Sequence, residues 1–310
     1  MKSRRILLFT ILVASYWTFF FGVPLIETLQ LYAEGDEIYN FVTSENNQTN
    51  AAVKNDRVPR IMHRMWANDE FLKQGDLPMT RSFNMCNDLY QKRGWKTLLW
   101  TDDSIRMWLK KHFSDFIELF DAYPFKIQKI DAARYFILYH FGGVYMDLDI
   151  GCFSTKDIGD IVSYMEASEK HVALPLTSPV GLSNDVMIAI KNSLFFKKAI
   201  LSLQSKNRWF GAHYLTVLYS TGSMFLSLLY FQQNPPERSV VAIIPPRLYS
   251  EKGTRYFQHF RGSTWHGKDA LFIQWIVRYW CAIVPFFIAF MLLRRITCIR
   301  SNTKENKLKQ

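Results

Sequence analysis

Apolar residues run unbroken near both ends of the chain and alternate with polar ones in between. Ile6 to Ile26 is 21 residues without a charge, and a transmembrane helix needs roughly 20. The run ends in FFFGVPLIE and not in the small residues of a cleavage site, so it predicts an uncleaved anchor, not a signal peptide. Phe272 to Leu293 adds 22 residues with one charge, Arg278, near the start, where an arginine can snorkel to the interface. Pro285 bends such a helix without forbidding it. RRITCIR follows at once, as expected of a cytosolic flank; the rival reading is a buried C-terminal core helix.

Between these runs, short apolar strands alternate with helical patterns, which predicts an α/β sheet domain. RVPRIMHRMW reads as a strand beginning after Pro59, and WKTLLW as a second. TDDSIRMWLKKHF reads as a helix with Thr101 or Asp102 as its N-cap. Asp102 and Asp103 then serve the free N–H groups and dipole of its first turn. FKIQKIDAARYFILYHFGG is a helix with Ile127, Ile130, Ile137, Leu138 and Phe141 to one side and Gly142 as its stop. Asp131 and Arg134, three apart, share another face. HVALPL is a further strand, and a helix is predicted to begin near Asp185. Residues 213–231 are apolar enough to tempt a third span, but Ser220-Thr221-Gly222-Ser223 interrupts them. They read as buried helix or helix–turn–helix.

The formal charge of +11 would indicate nucleic acid if it were central, but it is not. Lys2, Arg4 and Arg5 supply +3 and the residues after Leu293 supply +5, which leaves +3 for everything between. Basic tails beside apolar runs fit the positive-inside rule, and nucleic-acid binding is set aside. The predicted organisation is a cytosolic tail (1–5), an anchor (6–26), a lumenal stem (27–57), a catalytic domain (58–271), a second span (272–293) and a basic cytosolic tail (294–310). That makes a multi-pass membrane protein of the secretory pathway, Golgi or ER, with both termini cytosolic. Asn47-Gln48-Thr49 is a glycosylation sequon in the polar stem. Cys86 and Cys152 fall on the lumenal side, where they could pair, although nothing in the sequence shows that they do.

The stretch YHFGGVYMDLDIGC raises the question of chemistry. Read as a strand, Val144 to Asp149 alternates faces, so Asp147 and Asp149 point one way and Leu148 into the core. Two carboxylates roughly 7 Å apart repel unless a cation or donors neutralise them. Oxygen ligands with room for water suit Mg²⁺ or Mn²⁺ bound together with substrate phosphates. The pair also sits at a strand's carboxyl end, where open α/β sheets bind ligands.

RIMHRMW, WKTLLWTDD, KIDAARYFILYHFGGVYMDLD, LSNDVMIA, STGSMFL and HFRGSTWHGKDA, in that order from about Val58 to Ala270, closely resemble the D-x-D glycosyltransferases of the Och1-like family 32. Among these the chain looks most like the fungal inositol phosphoceramide mannosyltransferases, and the two flanking spans agree with that branch. The resemblance implies an α/β, GT-A-like nucleotide-sugar transferase domain flanked by two transmembrane helices. It also implies GDP-mannose as donor, Mn²⁺ (or Mg²⁺) as metal, and retention of anomeric configuration. Asp147 and Asp149 would engage metal, diphosphate and ribose, and Asp131 and Arg134 the donor sugar's hydroxyls. Trp66 would lie against the base, with His63 nearby. Asn184 and Asp185 would face the transferred sugar, Asp185 as a nucleophile or stabiliser unless it is only an N-cap. Ser263, Trp265 and His266 would close over the diphosphate, with His266 competing with His259 as a metal ligand. Ser223 stands where many relatives have proline after Thr-Gly. The acceptor would be inositol phosphoceramide, with a membrane regulatory subunit as a further partner. The rivals are a hexosyltransferase acting on protein-linked glycan and a catalytically silent membrane subunit.

Overall fold

The computed structural model describes residues 23–43, 57–74, 77–177, 181–251, 256–260, 262, 265–276, 278–279 and 294. Residues 6–22 of the first candidate span, most of the second, Asn47 and Ser263 lie outside them. The chain divides into two compact units, Met1–Trp265 and His266–Gln310. The first unit runs α1 (Val23–Thr43), β1 (Ile61–Met65), α2 (Pro78–Gln91), β2 (Lys96–Trp100), α3 (Asp102–His112), α4 (Ile117–Ala122), α5 (Lys126–Phe141), β3 (Gly143–Met146), β4 (Ile150–Cys152), α6 (Ile158–Ala167), β5 (Val172–Pro175), β6 (Val186–Ala189), α7 (Leu194–Lys206), α8 (His213–Ser220), α9 (Ser223–Phe231), β7 (Val241–Ile244) and β8 (Phe257–His259), with shorter helical turns between.

Six strands form a mixed sheet in the order β2-β1-β3-β6-β5-β7, and β4 pairs with β8 apart from it. β1 is parallel to both β2 and β3, while β6 runs antiparallel to β3 and β5, and β7 is parallel to β5. Every strand of this sheet but β6 therefore ends at one edge, and β6 begins there. That edge gathers Trp66, Thr101, Asp147, Asn184 and Asp185.

Strand residues alternate between two cores, as a pleat requires. Met65, Tyr145, Leu174, Met187 and Ile243 face α3, α5, α7 and α9. Met62, Val144, Met146, Ile188 and Ile244 face α2 and α6. The sheet is buried on both sides, which is why its strands read as apolar runs and not as clean alternations. The two glycines before β3 have a steric cause. Gly142 (φ +65°) closes α5, its N–H bonded to Leu138 at 2.9 Å. Gly143 (φ +93°) lies so close to Ile61 of β1 that a Cβ would collide with that carbonyl.

Three expectations give way. The helix predicted to begin near Asp185 is strand β6, because Val-Met-Ile-Ala is bonded between β3 and β5; a short apolar run fits either element until its neighbours are known. Residues 27–43, assigned to a stem, are helical. Leu31, Gly35 and Ile38 lie on one stripe of α1, with Gly35 against Pro245, and Tyr230 donates to Glu34 at 2.8 Å. The helix α5 is buried from Asp131 to Leu138 on every side, not on one stripe. The break foreseen inside 213–231 is present between α8 and α9. Among the described residues no single helix is long and apolar enough to cross a membrane, and that bent pair alone meets the length and composition.

Candidate active site

The middle of α5 carries two charged side chains where a core helix would have apolar ones. Asp131 and Arg134 are 2% and 4% exposed, and burial of this kind is tolerated only when every charge is answered. Arg134 Nη1 donates to Asp131 at 3.0 Å and to the Asn184 carbonyl at 3.2 Å. Its Nη2 reaches both oxygens of Asp147, at 2.8 and 3.1 Å. The guanidinium also lies 5.0 Å from the centre of the Tyr145 ring, a cation–π contact in a desolvated place. Asp131 is completed by Asn184 Nδ2 and Thr221 Oγ1, both donating at 3.0 Å. One arginine thus joins the helix, the D-x-D and the segment that leads into β6.

The carboxylate pair does not lie within one strand. β3 ends at Met146 and β4 begins at Ile150, so Asp147, Leu148 and Asp149 make a turn, closed by Ile150 N–H to the Asp147 carbonyl at 2.9 Å. The strand alternation inferred for Asp147 and Asp149 fails because the Asp147 N–H pairs with Asp185 at 2.8 Å, where the ladder stops. Both acids nevertheless share one field. Burial pushes Asp147 up to about 7, with Asp149 and Asp185 adding repulsion and Arg134 opposing. Asp149 is raised by burial and by Asp185. Tyr145 donates its hydroxyl to Asp147 at 2.6 Å.

Beneath the turn sits a residue that the sequence reading passed over. Arg64 of β1 is fully buried, and its Nη2 donates to Ser82 Oγ at 2.8 Å, the Ile150 carbonyl at 2.9 Å and the Asp147 carbonyl at 3.1 Å. Ser82 on α2 also donates to the Ile150 carbonyl at 2.7 Å. A disulfide joins Cys86 of α2 to Cys152 of β4, settling the pairing left open above. From the other side, Phe260 N–H donates to the Asp149 carbonyl at 2.8 Å. Gly262 touches the Asp149 carboxylate so closely that any Cβ would overlap it.

Asp185 is held by Ser183 Oγ at 2.6 Å on one oxygen and by the Tyr249 hydroxyl on the other. It is not a helix N-cap, since β6 follows it. Trp66 is half-buried just past β1, its N–H on the Trp100 carbonyl at 3.0 Å. His63 is turned into the core, bonded to the Gly142 carbonyl at 2.9 Å and to the Trp100 indole at 3.1 Å. Burial holds its pKa down at about 4, so it is structural. Trp265 stacks on Tyr214 at 5.4 Å. His259 is bonded to the Tyr249 carbonyl at 2.9 Å, and His266 belongs to the second unit, 3.5 Å from Gln274. Thr221, Tyr249 and Gly262 also escaped the sequence reading. Two signals existed, a Thr-Gly break inside an apolar helix for Thr221 and a lone Gly ahead of STWH for Gly262; Tyr249 had none.

Among the described residues no group of three or more His, Cys, Asp and Glu side chains forms a ready-made metal cage. The donor set fits a small hard cation all the same. Asp147 and Asp149 are raised in part by neighbouring carboxylates, and such ions are commonly held by one or two carboxylates plus substrate phosphates.

A family model, the glycosyltransferase sugar-binding region containing the DXD motif, matches residues 79–166, the segment that holds Ser82, Cys86, Asp131, Arg134, Asp147 and Asp149. The fold and this site define a DXD glycosyltransferase. The chain is 34% identical over 283 residues to inositol phosphoceramide mannosyltransferase 1 of Schizosaccharomyces pombe, covering 88% of this chain and 85% of that one. It is 30% identical to inositol phosphoceramide mannosyltransferase 3 of the same yeast, covering 91% and 76%. It is 31% identical to the mannosyl phosphorylinositol ceramide synthase SUR1 of Saccharomyces cerevisiae, covering 83% and 65%. The chain belongs to the inositol phosphoceramide mannosyltransferase family. Among solved structures, the PaToxG glycosyltransferase and mouse xyloside xylosyltransferase 1 align over 69% and 64% of this chain at TM-scores of 0.35 and 0.38 and identities of 14% and 9%, too remote to bear on the site.

Proposed function

We propose that this protein moves mannose from GDP-mannose to the inositol of inositol phosphoceramide, with retention at the anomeric carbon. The carrying observation is Arg134, which ties Asp131, Asp147 and the Asn184 carbonyl into one cluster, with Asp149 beside it at the ligand-binding edge of the sheet. Asp131, its oxygens taken by Arg134, Asn184 and Thr221, fixes the Asn184 amide that would face the sugar hydroxyls, and the D-x-D turn would face the diphosphate. A cavity of about 380 Å³ opens at the same edge of the sheet, with Met65, Asp102, Tyr123, Lys126, Lys129 and Ala133 among its walls. It lies past the ends of β1 and β2, where doubly wound sheets take nucleosides. The Tyr123 hydroxyl is buried in this wall and makes no hydrogen bond among the described residues.

Mn²⁺ or Mg²⁺, held by Asp149 and Asp147, would neutralise the departing diphosphate. The chain's own groups orient the reaction. Both oxygens of Asp185 accept hydrogen bonds, which blunts it as a nucleophile, and Asp131 is enclosed. Substitution on one face of the sugar follows: the bond from the anomeric carbon to phosphate breaks, the inositol oxygen bonds to that carbon, and the hydroxyl proton passes to the leaving phosphate. The relatives named for inositol phosphoceramide support the acceptor. The membrane placement, with Asn47 lumenal and both termini cytosolic, belongs to the same proposal, as does any regulatory subunit.

Deleting the gene and its paralogues tests the proposal in cells. Unmannosylated inositol phosphoceramide should accumulate, and re-expression of this chain should restore the mannosylated lipid. Normal lipids together with shortened protein-linked glycans would overturn the acceptor.

A further inference from the structure

The helix α7 buries Phe195, Phe196, Ala199 and Leu203 toward the core. Its opposite side is unusual for a water-facing helix. Leu194 and Leu201 are 49% and 71% exposed; seven residues apart, they stand two turns from each other on one stripe. Lys197 lies exposed between them. In the loop that follows, Trp209 is 63% exposed. Its neighbours are fixed: Phe210 stacks on Tyr219 at 5.5 Å, and Arg208 lies 5.0 Å from the Phe210 ring centre. The loop therefore has a rigid base from which one indole projects. Lys197, Lys206 and Arg208 form no ion pair among the described residues, whereas Lys198 is taken by Glu237 at 2.6 Å.

The position of this loop is set by its anchors. Asn192 N–H, just before α7, donates to the Tyr139 carbonyl at 2.7 Å, near the end of α5 remote from the site. The helix then returns toward the ligand-binding edge. His213, which opens α8, packs on Phe125 at the start of α5, ring centres 4.2 Å apart. The adjoining Tyr214 stacks on Trp265, three residues beyond the Gly262 that touches Asp149. Residues 207–212 thus stand at the rim of the site.

Single exposed leucines need no explanation. Two exposed leucines flanking Lys197 and an exposed tryptophan beside Lys206 and Arg208, cations with no ion pair among the described residues, make the pattern of an element that lies in a membrane interface, with apolar groups inward and basic groups on anionic head groups. We propose that the outward stripe of α7 and the loop 207–212 dock on the surface of an anionic bilayer and hold the mouth of the site at the level of lipid head groups. The geometry stands without the acceptor assignment, but the purpose rests on it: a phosphate-bearing lipid acceptor is both the substrate and part of the anionic surface, and docking raises its effective concentration.

The test uses the full chain in lipid nanodiscs with and without phosphatidylinositol. An environment-sensitive fluorophore is placed at Trp209→Cys and, as control, at Met107→Cys on α3, which is 67% exposed, both on a Cys281→Ser, Cys298→Ser background. Emission at position 209 should shift to the blue only with the anionic lipid, and position 107 should stay water-like. In parallel, the double variant Leu201→Ser, Trp209→Ser should raise KM for inositol phosphoceramide in vesicles by about tenfold. Its kcat, its KM for GDP-mannose and its turnover of a water-soluble acceptor analogue should not change. A water-like probe at position 209, or equal loss on both acceptors, overturns the proposal. So does shielding that needs an added protein and no lipid, which would make the stripe a protein interface. If the unmodified chain transfers to neither acceptor, the acceptor assignment fails, while the probe still decides whether the stripe docks.

Discussion

Arg134 answers two carboxylates at once, the buried Asp131 at 3.0 Å and the half-buried Asp147 at 2.8 Å. A lysine cannot reproduce that fork. Arg134→Lys should therefore lower kcat/KM by about a hundredfold or more, with the circular dichroism spectrum unchanged. Near-normal activity would show that the cluster is structural. His63 makes a separate prediction. Its pKa falls from 6.5 in the unfolded chain to about 4 in the fold because burial opposes its charge. The stability it supports is complete above pH 6.5 and is lost as pH falls toward 4, by about 3 kcal/mol at most. Denaturant midpoints from pH 7.5 to 4.5 should fall less steeply in His63→Gln than in the unmodified protein; parallel curves would refute this. The acids and Arg134 were legible because charges inside an apolar helix and a strand end have few other uses. Arg64, Thr221 and Tyr249 were not, because their meaning depends on partners 64–90 residues away along the chain, Asp147, Asp131 and Asp185.

The elements were most legible where local signals agreed with their surroundings. The helix α3 is capped by Thr101 with Ser104 in a reciprocal box, and α5 ends at a glycine, each as its residues foretell. The strand β6 was misread because four apolar residues carry no periodicity of their own; only its place between β3 and β5 makes it a strand. The helix α1 was missed because its stripe of Leu31, Gly35 and Ile38 is narrow and follows an apolar run that reads as an anchor. The D-x-D turn itself owes its position to α2, through Ser82, Arg64 and the disulfide from Cys86 to Cys152. Replacing both cysteines with serine should cost about 4 kcal/mol by loop closure, read as a lower thermal or denaturant midpoint. Because β4 is released directly after Asp149, KM for the donor should rise as well. A loss of stability with donor KM unchanged would confine the bond to a structural role.

At the scale of the molecule, the α/β class followed from alternating strand and helix patterns, but the order β2-β1-β3-β6-β5-β7 did not. Strand order depends on which apolar faces meet, and no local pattern records that. The predicted topology has its own check: in sealed vesicles a tag at either terminus should be digested by added protease, and Asn47→Gln should remove any N-glycan. A protected C-terminal tag would contradict the second span. The central claim is tested most directly by purifying the full chain and supplying GDP-mannose, Mn²⁺ and inositol phosphoceramide, with the product read by mass spectrometry. Mannosylated inositol phosphoceramide should form with the unmodified chain, and Asp149→Asn should form none while keeping the same fold. Equal product from Asp149→Asn, or mannose transferred to protein-linked glycan and never to the lipid, would contradict it.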